Sequence, residues 1–505
     1  SSTGALVDSI PFDHGSRPHD LVFNNLKSYA YVTLKGNGKV VRIDPSVSPL
    51  QIDTVLDAGP TATAIAVNSG TDKILVNRFI SPDAGGEIRT YDNADLPGIA
   101  LEETITLNPD TTTIEDGQQA RGVPNYLADV AIDPLNQFAY VTAKKDNIFR
   151  GEFRDGLPLT HDTSIRTLIA KIDLSTNTEV LTDRLDIDDS SQPTALTFSP
   201  LGDYLFIAMQ GNNEVKVMDT FTGTVVATLT TGLAPQGLCI DSTTKRLFVK
   251  NLNERSVTVY DLTDALVAGN FSQSAIDTVS TVSSETFAAE VLLGKQIFYN
   301  ADDERMSFEG YLSCATCHQD GDHDGRTWDF TDRGEGLRNT TNLRGRSGTA
   351  HGNVHWSANF NEIQDFELDM VNAFGGDGFL AAVGGPNPSL GAPNAGRNAE
   401  LDALAAYVTS LSADRVEKSP HRNSNGSLTS DALIGKRLFD GILVPQSGSA
   451  LACASCHNPS TEFTDSVVGQ TIPPITLHDV ATIKVSSGER LGGGTNSLVG
   501  IDTPT

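Results

Sequence analysis

Residues 204–208 read Tyr204-Leu205-Phe206-Ile207-Ala208, and this short apolar stretch has four counterparts within the N-terminal half of the chain. Each counterpart contains β-branched or aromatic residues in the alternating pattern that is typical of a half-buried strand. They are Tyr29-Ala30-Tyr31-Val32-Thr33, Lys73-Ile74-Leu75-Val76-Asn77, Phe138-Ala139-Tyr140-Val141-Thr142 and Arg246-Leu247-Phe248-Val249-Lys250. The repetition predicts five copies of one strand-rich unit.

Further strands frame each copy. A third strand follows it, as in Val40-Val41-Arg42-Ile43-Asp44, and a proline with another apolar strand precedes it. The prolines are Pro18, Pro60, Pro124, Pro193 and Pro235. The first two prolines have the same separation as the last two, and the middle units carry insertions near 94–120 and 145–165. A period of about 40–45 residues with several short strands per repeat indicates the blades of a β-propeller.

The Tyr-Val-Thr stretches and the Ile-Asp and Tyr-Asp strand ends resemble the YVTN family of seven-bladed propellers. The resemblance covers roughly residues 3–283, and five units are clear. Either two blades lie outside this chain or the ring is unusual. The resemblance implies a platform that docks a protein partner or shapes a neighbouring active site.

Two copies of the pattern C-x-x-C-H occur in the second half of the chain, at Cys314-Ala315-Thr316-Cys317-His318 and Cys453-Ala454-Ser455-Cys456-His457. This pattern is the attachment motif of c-type haem. Its two thiols each form a thioether to one porphyrin, and the adjacent histidine binds the iron. We therefore expect two covalently bound haem c groups, with His318 and His457 as the proximal iron ligands.

A zinc site or a redox dithiol remains an alternative for the C-x-x-C pairs. The fifth cysteine, Cys239, lies in an apolar, strand-like run, and we expect a buried thiol that acts as a small hydrophobe. Because c-type haem is attached outside the cytoplasmic membrane, the motifs also predict a periplasmic or extracellular protein whose signal peptide has been removed.

A helix-like segment precedes each motif, at Leu293-Gly294-Lys295-Gln296-Ile297-Phe298 and at Ile434-Gly435-Lys436-Arg437-Leu438-Phe439. The offset from the closing phenylalanine to the first cysteine is similar in the two copies, from Phe298 to Cys314 and from Phe439 to Cys453. The duplication predicts a mainly α, tandem cytochrome-c-like di-haem domain. We expect a multidomain chain with an all-β propeller over 1–283, a first haem module over 284–428 and a second over 429–505, the last incomplete at its C-terminus.

These segments, with Arg338-Asn339-Thr340-Thr341-Asn342-Leu343 and His355-Trp356, resemble the bacterial di-haem cytochrome c peroxidases and the related methylamine-utilisation di-haem enzymes. The resemblance implies that His318 serves the haem that meets peroxide and that His457 serves the haem that relays electrons. It places Trp356 between the two haems, and simple packing on a porphyrin is the alternative for this ring.

The distal ligands do not follow the family pattern. No histidine lies between Asp324 and Thr349, where the family often has one for the first haem, and the nearest alternatives are His323, His351 and His355. The family's distal ligand of the second haem would lie beyond residue 505. His478 is the only later histidine.

Gln364 and Glu367 are the candidates for proton transfer at the first haem. They lie on a helix predicted over about 361–373. We expect Glu362 and Asp365 to form the solvated face of this helix. Met370 is either a packing residue or a sixth iron ligand. The residues with core-like spacing are Ile363, Phe366 and Met370.

Charged residues near the first motif suggest two further sites. Arg338 and Arg344 are candidates for binding haem propionates, with ordinary salt bridges as the alternative. They belong to a basic stretch that also contains Arg326, Arg333 and Arg346, and the same two interpretations apply to these three. The sequence D-x-D-x-D-G at Asp320, Asp322 and Asp324 resembles the start of a calcium loop, although position twelve is Thr331 rather than Glu. Calcium is therefore a second predicted cofactor.

The overall charge excludes some partners. The 36 Lys and Arg residues against 64 Asp and Glu residues give −28, which disfavours nucleic acids and anionic membrane surfaces. No apolar run is long enough to predict a membrane span. Five cysteines in 505 residues exclude a disulfide scaffold.

The sequence thus predicts a di-haem c-type oxidoreductase that reduces hydrogen peroxide. Electrons would enter from a small redox protein at the C-terminal haem and pass to the N-terminal haem. Two alternatives stay open: an enzyme that oxidises a partner protein or a small molecule, and a non-catalytic two-haem electron-transfer protein docked through its propeller.

Overall fold

The N-terminal part of the chain is a five-bladed β-propeller, in which each blade is a separate antiparallel sheet. The computed structural model describes residues 6–92, 94, 98–272, 274–333, 335–356, 358–443, 453–455, 457–461 and 463. Five repeat units were predicted, and five blades are confirmed.

The strands of the blades follow one another in chain order. Blade one contains β1 (Pro18–Phe23), β2 (Ala30–Leu34), β3 (Lys39–Asp44) and β4 (Gln51–Asp57). Blade two contains β5 (Ala62–Asn68), β6 (Lys73–Arg78), β7 (Gly86–Asp92) and β8 (Ala100–Leu107). Blade three contains β9 (Val123–Asn125), β10 (Val130–Ile132), β11 (Phe138–Asp146), β12 (Ile165–Asp173), β13 (Thr178–Glu179) and β14 (Leu185–Ile187). Blade four contains β15 (Pro193–Phe198), β16 (Tyr204–Met209), β17 (Glu214–Asp219) and β18 (Thr224–Thr230). Blade five contains β19 (Pro235–Asp241), β20 (Arg246–Asn251), β21 (Ser256–Asp261) and β22 (Asp277–Ser280).

An aspartate closes the third long strand of four blades, and its side chain builds the turn that follows. In each case the carboxylate accepts a hydrogen bond from the backbone N–H two residues further on, at 2.8–2.9 Å. The four residues are Asp44, Asp173, Asp219 and Asp261. This local bond stabilises a tight turn, which explains the repeated Ile-Asp and Tyr-Asp strand ends.

Apolar side chains fill the spaces between neighbouring blades. Val40 and Ile74 belong to the cluster between blades one and two, and similar clusters join blades two to three, three to four and four to five. The opposite face of blade one, which carries Val32, packs against Ile10 instead. Among the described residues, no apolar cluster of this kind joins blade five to blade one.

The prediction of a buried Cys239 is wrong, because its side chain is exposed. Leu238 and Ile240 pack toward blade four. Successive side chains of a strand point to opposite faces of the sheet. Cys239 therefore lies on the face of β19 that no other blade covers.

Blade three is enlarged by the predicted insertion near 145–165. Strands β11 and β12 pair continuously, from Phe138 opposite Asp173 to Asp146 opposite Ile165. The helix α1 (His161–Ser164) lies in the connection between them. The extension brings Lys144 and Asp146 to the C-terminal half of the chain.

Helices dominate the remainder of the described chain. After α2 (Thr263–Ala268) in blade five come α3 (Ala289–Tyr299), α4 (Cys314–Cys317), α5 (Glu367–Asn372), α6 (Ala399–Thr409) and α7 (Ser430–Phe439). A short hairpin joins β23 (Thr327–Phe330) and β24 (Gly336–Asn339). The boundary predicted at 283 falls between β22 and α3, and the cytochrome-like character of the helical part stays a prediction.

The glycine of the first G-K-x-I-F segment has a packing role. A Cβ atom at Gly294 would lie 1.8 Å from the carbonyl oxygen of Ala403, so only glycine lets α3 approach α6 so closely. Phe298 and Tyr407 then meet edge to face, with ring centroids 5.0 Å apart. This pair belongs to the main apolar core of the helical part.

Within the described part of the chain, no helix combines the length and the apolar composition that crossing a bilayer requires.

Candidate functional site

The first C-x-x-C-H motif folds as one helical turn. Helix α4 spans the two cysteines, and the backbone N–H of His318 donates to the carbonyl oxygen of Cys314 at 2.9 Å. The Nδ1 atom of His318 lies 3.2 Å from the carbonyl oxygen of Asp322. When Nδ1 is protonated and donates to a carbonyl oxygen, Nε2 is left to bind a metal. A histidine that ligates a metal usually makes such a contact through its other ring nitrogen.

The second motif has the same arrangement. Residues Cys453–Ser455 form a helical turn, and the N–H of His457 donates to the carbonyl oxygen of Cys453 at 2.8 Å. The Nδ1 atom of His457 lies 2.9 Å from the carbonyl oxygen of Phe463. Cys456 and His478 lie outside the described residues. Both predicted iron ligands thus have Nδ1 at a backbone carbonyl oxygen, as proximal haem ligands require.

The thiols of the first motif are free and partly buried. Cys314 and Cys317 form no disulfide. Burial raises the pKa of Cys314 to about 12 and raises the pKa of Cys317 even further. A redox dithiol has the opposite property, a lowered thiol pKa. Thioether formation removes the thiol proton altogether, so the burial is compatible with haem attachment.

Few side chains near the first C-x-x-C-H motif could complete a zinc site. Over the described residues, no three His, Cys, Asp or Glu side chains come together in a way that could hold a metal ion. A tetrahedral zinc site needs four such ligands.

The propeller holds the first motif in place through side chains of blades three and four. The Tyr126 hydroxyl donates to the carbonyl oxygen of Cys317 at 2.9 Å. The Nε2 atom of Gln192 lies 2.5 Å from the carbonyl oxygen of Ala315 and 2.8 Å from Oε1 of Gln319. The turn of the first C-x-x-C-H motif therefore packs on the propeller surface, a contact that the sequence does not predict.

A buried charge network lies beside these contacts. Lys144 Nζ lies 3.0 Å from Asp146 and 3.2 Å from Asp324. Arg326 Nε lies 3.0 Å from the second carboxylate oxygen of Asp146. The indole N–H of Trp328 donates to Asp324 at 3.1 Å. Arg326 also pairs with Asp83 at 2.8 Å, so two cations and three carboxylates join blades two and three to the segment after His318.

The three aspartates of the predicted calcium loop have separate partners. Asp320 accepts from the Tyr299 hydroxyl at 2.6 Å, and Asp322 accepts from the side-chain amide of Asn342 at 2.7 Å. Asp324 belongs to the charge network described above. Calcium binding stays a prediction, and the side-chain contacts of the loop give it no support.

The predicted propionate-binding arginines are engaged elsewhere. Arg344 donates to the carbonyl oxygen of Asp320 at 2.7 Å and pairs with Glu417. Arg338 lies 3.6 Å from Glu335.

Two further arginines of the basic stretch each have a buried Nε atom without a hydrogen-bond partner among the described residues. They are Arg333 and Arg346. Burial lowers the pKa of both guanidinium groups. A guanidinium with an unused buried donor suits an anionic propionate, so these two join Arg338 and Arg344 as candidates.

The predicted catalytic helix begins as a 3₁₀ turn over Ile363–Phe366 and continues as α5. Gln364 donates to Asp402 at 2.8 Å, and Glu367 accepts from the backbone N–H of Leu380 at 2.7 Å. Glu367 is fully buried, and its Oε2 atom has no hydrogen-bond partner within the described region. Met370 packs in the main apolar core of the helical part, as one of its two interpretations predicted.

The solvated face predicted for this helix is wrong. Asp365 is buried and accepts from the side-chain amide of Asn394 at 3.0 Å. Glu362 accepts from the backbone N–H groups of Asn394 and Ala395. Both carboxylates hold the loop at 394–395, Glu362 through backbone N–H groups that need acceptors and Asp365 through the side chain of Asn394.

Two aromatic residues of the predicted site are adjacent but differ in exposure. The indole N–H of Trp356 donates to the carbonyl oxygen of Asn339 at 2.8 Å, and 52% of the residue is exposed. His355 uses Nδ1 toward Asn359 at 2.8 Å and Nε2 toward Asp369 at 3.5 Å. Trp356 therefore has an open ring face, whereas both nitrogens of His355 are engaged.

Comparisons with known proteins give a distant relationship. No family model matches the chain. Over 213 residues it is 29% identical to "Hydrazine synthase subunit gamma" of Kuenenia stuttgartiensis, a match that covers 40% of this chain and 52% of that protein. The chain thus spans about half the length of this relative.

Solved structures match the chain only weakly. The β-propeller domain of Cps50 (Swd1) from Myceliophteria thermophila is 11% identical, with a TM-score of 0.38 over 55% of this chain and 74% of that one. A functionally unknown protein from Desulfotomaculum acetoxidans is 15% identical, with a TM-score of 0.37 over 52% and 70% of the two chains. A protein from Lactobacillus plantarum is 16% identical, with a TM-score of 0.38 over 52% and 72%.

Proposed function

We propose that this chain is a di-haem c-type oxidoreductase that reduces hydrogen peroxide. The observation that carries the proposal is the shared geometry of His318 and His457. Each histidine follows a C-x-x-C turn, donates its backbone N–H to the first cysteine and has Nδ1 near a later carbonyl oxygen. Because c-type attachment takes place outside the cytoplasmic membrane, the proposal includes a periplasmic or extracellular location.

The residues of the first site have distinct roles in this proposal. Cys314 and Cys317 anchor the porphyrin, and His318 offers Nε2 to the iron. Arg333 and Arg346 offer their unused donors to the propionates. Bound haem would supply the electron-transfer chemistry that breaks the O–O bond.

Reduction of hydrogen peroxide to two waters also consumes two protons, and Glu367 is our candidate to hold one of them at Oε2. This atom is buried and has no hydrogen-bond partner in the described region. Phe366, at the start of α5, and Cys314 pack against the same apolar core, which supports a position for α5 near the first haem. Gln364 is positioned by Asp402.

Electrons would reach the first site from the second. We propose that a small redox protein donates them at the haem of His457 and that Trp356 lies on the path between the haems. Its half-exposed ring and its fixed N–H support that role. The propeller would dock a further protein partner.

A second candidate function is the oxidation or reduction of a small nitrogen compound. The observation that favours it is the similarity to a hydrazine synthase subunit. In this case the same two haem sites would transfer electrons to or from a nitrogen substrate rather than peroxide.

The full-length, haem-loaded protein tests the proposal. We expect low-temperature EPR of the half-reduced protein to show one high-spin haem, and we expect turnover of hydrogen peroxide with a reduced donor. Glu367→Gln should lower kcat by about 10²–10⁴-fold, the usual contribution of a proton-transfer group. The matched variant Glu400→Gln, which removes an ion pair to Arg305, should retain activity.

Two outcomes would change the conclusion. Two six-coordinate low-spin haems without peroxide turnover would overturn the peroxidase. Turnover of hydrazine or hydroxylamine in place of peroxide would select the second candidate.

A further inference from the structure

The centre of the propeller contains a cavity of about 410 Å³. Every blade contributes to its wall, and the segment directly after His318 closes one side through Gln319 and Asp320. One lining residue from each blade, in chain order, is Lys35, Phe79, Tyr126, Pro193 and Leu238. The volume falls in the range of about 300–1,000 Å³ that small-molecule sites have.

Lys35 has no direct ion pair in this cavity, and the carboxylate of Asp320 acts on its charge only from a greater distance. Among the described residues its Nζ atom has no ion pair and no hydrogen bond, and it lies 4.1 Å from the centroid of the Phe79 ring. Phe79 stacks on Tyr126, with centroids 4.4 Å apart and an interplanar angle of 9°. Burial lowers the pKa of Lys35 to about 8. A desolvated ammonium group without a direct anionic contact is costly, so an anion that binds Nζ directly would be favoured there.

Lys144 differs from Lys35 because two carboxylates pair with it directly. It lies on the other side of Tyr126, 4.4 Å from that ring centroid, and it also lines the cavity. Its charge is compensated by Asp146 and Asp324. An incoming anion therefore has more to gain from Lys35 than from Lys144.

The cavity also has an unused acceptor. The Nε2 atom of Gln192 donates to Ala315 and Gln319. Its buried Oε1 atom has no hydrogen-bond partner within the described residues. A buried acceptor costs free energy until a donor meets it. A ligand with both an anionic group and an N–H or O–H group would satisfy both sites.

We propose that the propeller cavity binds a small organic acid that carries a hydroxyl or ammonium group. The carboxylate binds Lys35, the donor group meets Gln192 Oε1, and the carbon skeleton packs against Phe79 and Pro193. The apolar part of the wall favours an organic acid over an inorganic oxyanion. This site is separate from the proposed peroxide chemistry and does not depend on it.

Calorimetric titration of the full-length protein with malate and with glutamate tests the site. We expect saturable binding of one molecule per chain, weakened about tenfold or more in Lys35→Gln and retained in Lys35→Arg. Lys39→Gln is the matched control, because Lys39 lies in the same blade and pairs with Asp57 at the surface.

Neutral malamide and inorganic phosphate are the comparison probes. Malamide should not bind, and phosphate should bind more weakly than malate. The proposal fails if neither acid binds, if Lys35→Gln binds them as tightly as the parent, or if phosphate alone binds. Thermal unfolding with and without malate provides a second readout, because a ligand of the folded state raises Tm.

Discussion

The Nζ atom of Lys144 in blade three lies 3.2 Å from Oδ2 of Asp324, which follows His318 of the first C-x-x-C-H motif by six positions. Both side chains are almost completely buried, with exposures of 2% and 0%. The two residues are 180 positions apart in sequence. The pair therefore couples the propeller to the helical part at the point where the first haem is expected.

Lys144→Met should destabilise the protein strongly. The substitution leaves Asp146 with Arg326 as its charged partner, and it leaves Asp324 with neutral donors, the indole N–H of Trp328 and the backbone N–H of Arg326. Removing one member of a buried ion pair costs about 3–5 kcal/mol, and we expect a loss of this size in the free energy of unfolding measured by urea titration. Lys39→Met, which removes an exposed pair, should cost about 0–1 kcal/mol. Equal stability of the two variants would contradict the role of Lys144.

Gln192→Ala should loosen the turn of the first C-x-x-C-H motif. The variant leaves the carbonyl oxygen of Ala315 buried without its donor, which costs about 1–3 kcal/mol. We expect faster hydrogen exchange of the backbone amides over 314–320, because local opening becomes easier. Gln236→Ala is the control, since Gln236 lines the same cavity and makes no contact with the turn. Identical exchange in both variants would show that Gln192 does not hold the turn.

The propeller could be predicted from the sequence because its signals are local. The stretch Tyr204–Ala208 falls within β16, which ends at Met209, and the strand-end aspartates form their turns with residues two positions away. Alternation, turn chemistry and a fixed period are all visible in a short window.

The contacts around the candidate site could not be predicted in the same way. The local pattern predicted that Asp324 binds calcium. For Arg326 it predicted either contact with a haem propionate or an ordinary salt bridge. Their partners Lys144 and Asp146 lie 180 positions earlier in the chain, and no local pattern connects them. Similarly, Asp365 fits a solvated helix face by spacing, and only the fold brings Asn394 against it.

The stability of the propeller should depend on pH through Asp129. Burial raises the pKa of its carboxyl group to about 7, whereas an unfolded aspartate has a pKa of about 3.9. Between these values the folded protein binds more protons than the unfolded chain, so the contribution of Asp129 to stability falls as pH rises from about 4 to about 7. Asp129→Asn cannot ionise. The free energy of unfolding of the parent minus that of the variant should therefore decrease across this window and then level off. A difference that does not change with pH would contradict the raised pKa.

The two C-x-x-C-H motifs should each bind one haem covalently. We expect the pyridine haemochrome assay to give two haems per purified chain, and one in Cys314→Ser/Cys317→Ser and in Cys453→Ser/Cys456→Ser. Cys239→Ser should keep two, because this exposed thiol on β19 belongs to neither motif. If His318 and His457 are equivalent iron ligands, His318→Ala and His457→Ala should each change the spectrum of one haem only. Two haems in either double-cysteine variant, or zinc in place of iron in the parent, would contradict the assignment. The shared hydrogen bonds of the two histidines would then need another metal or a purely structural explanation.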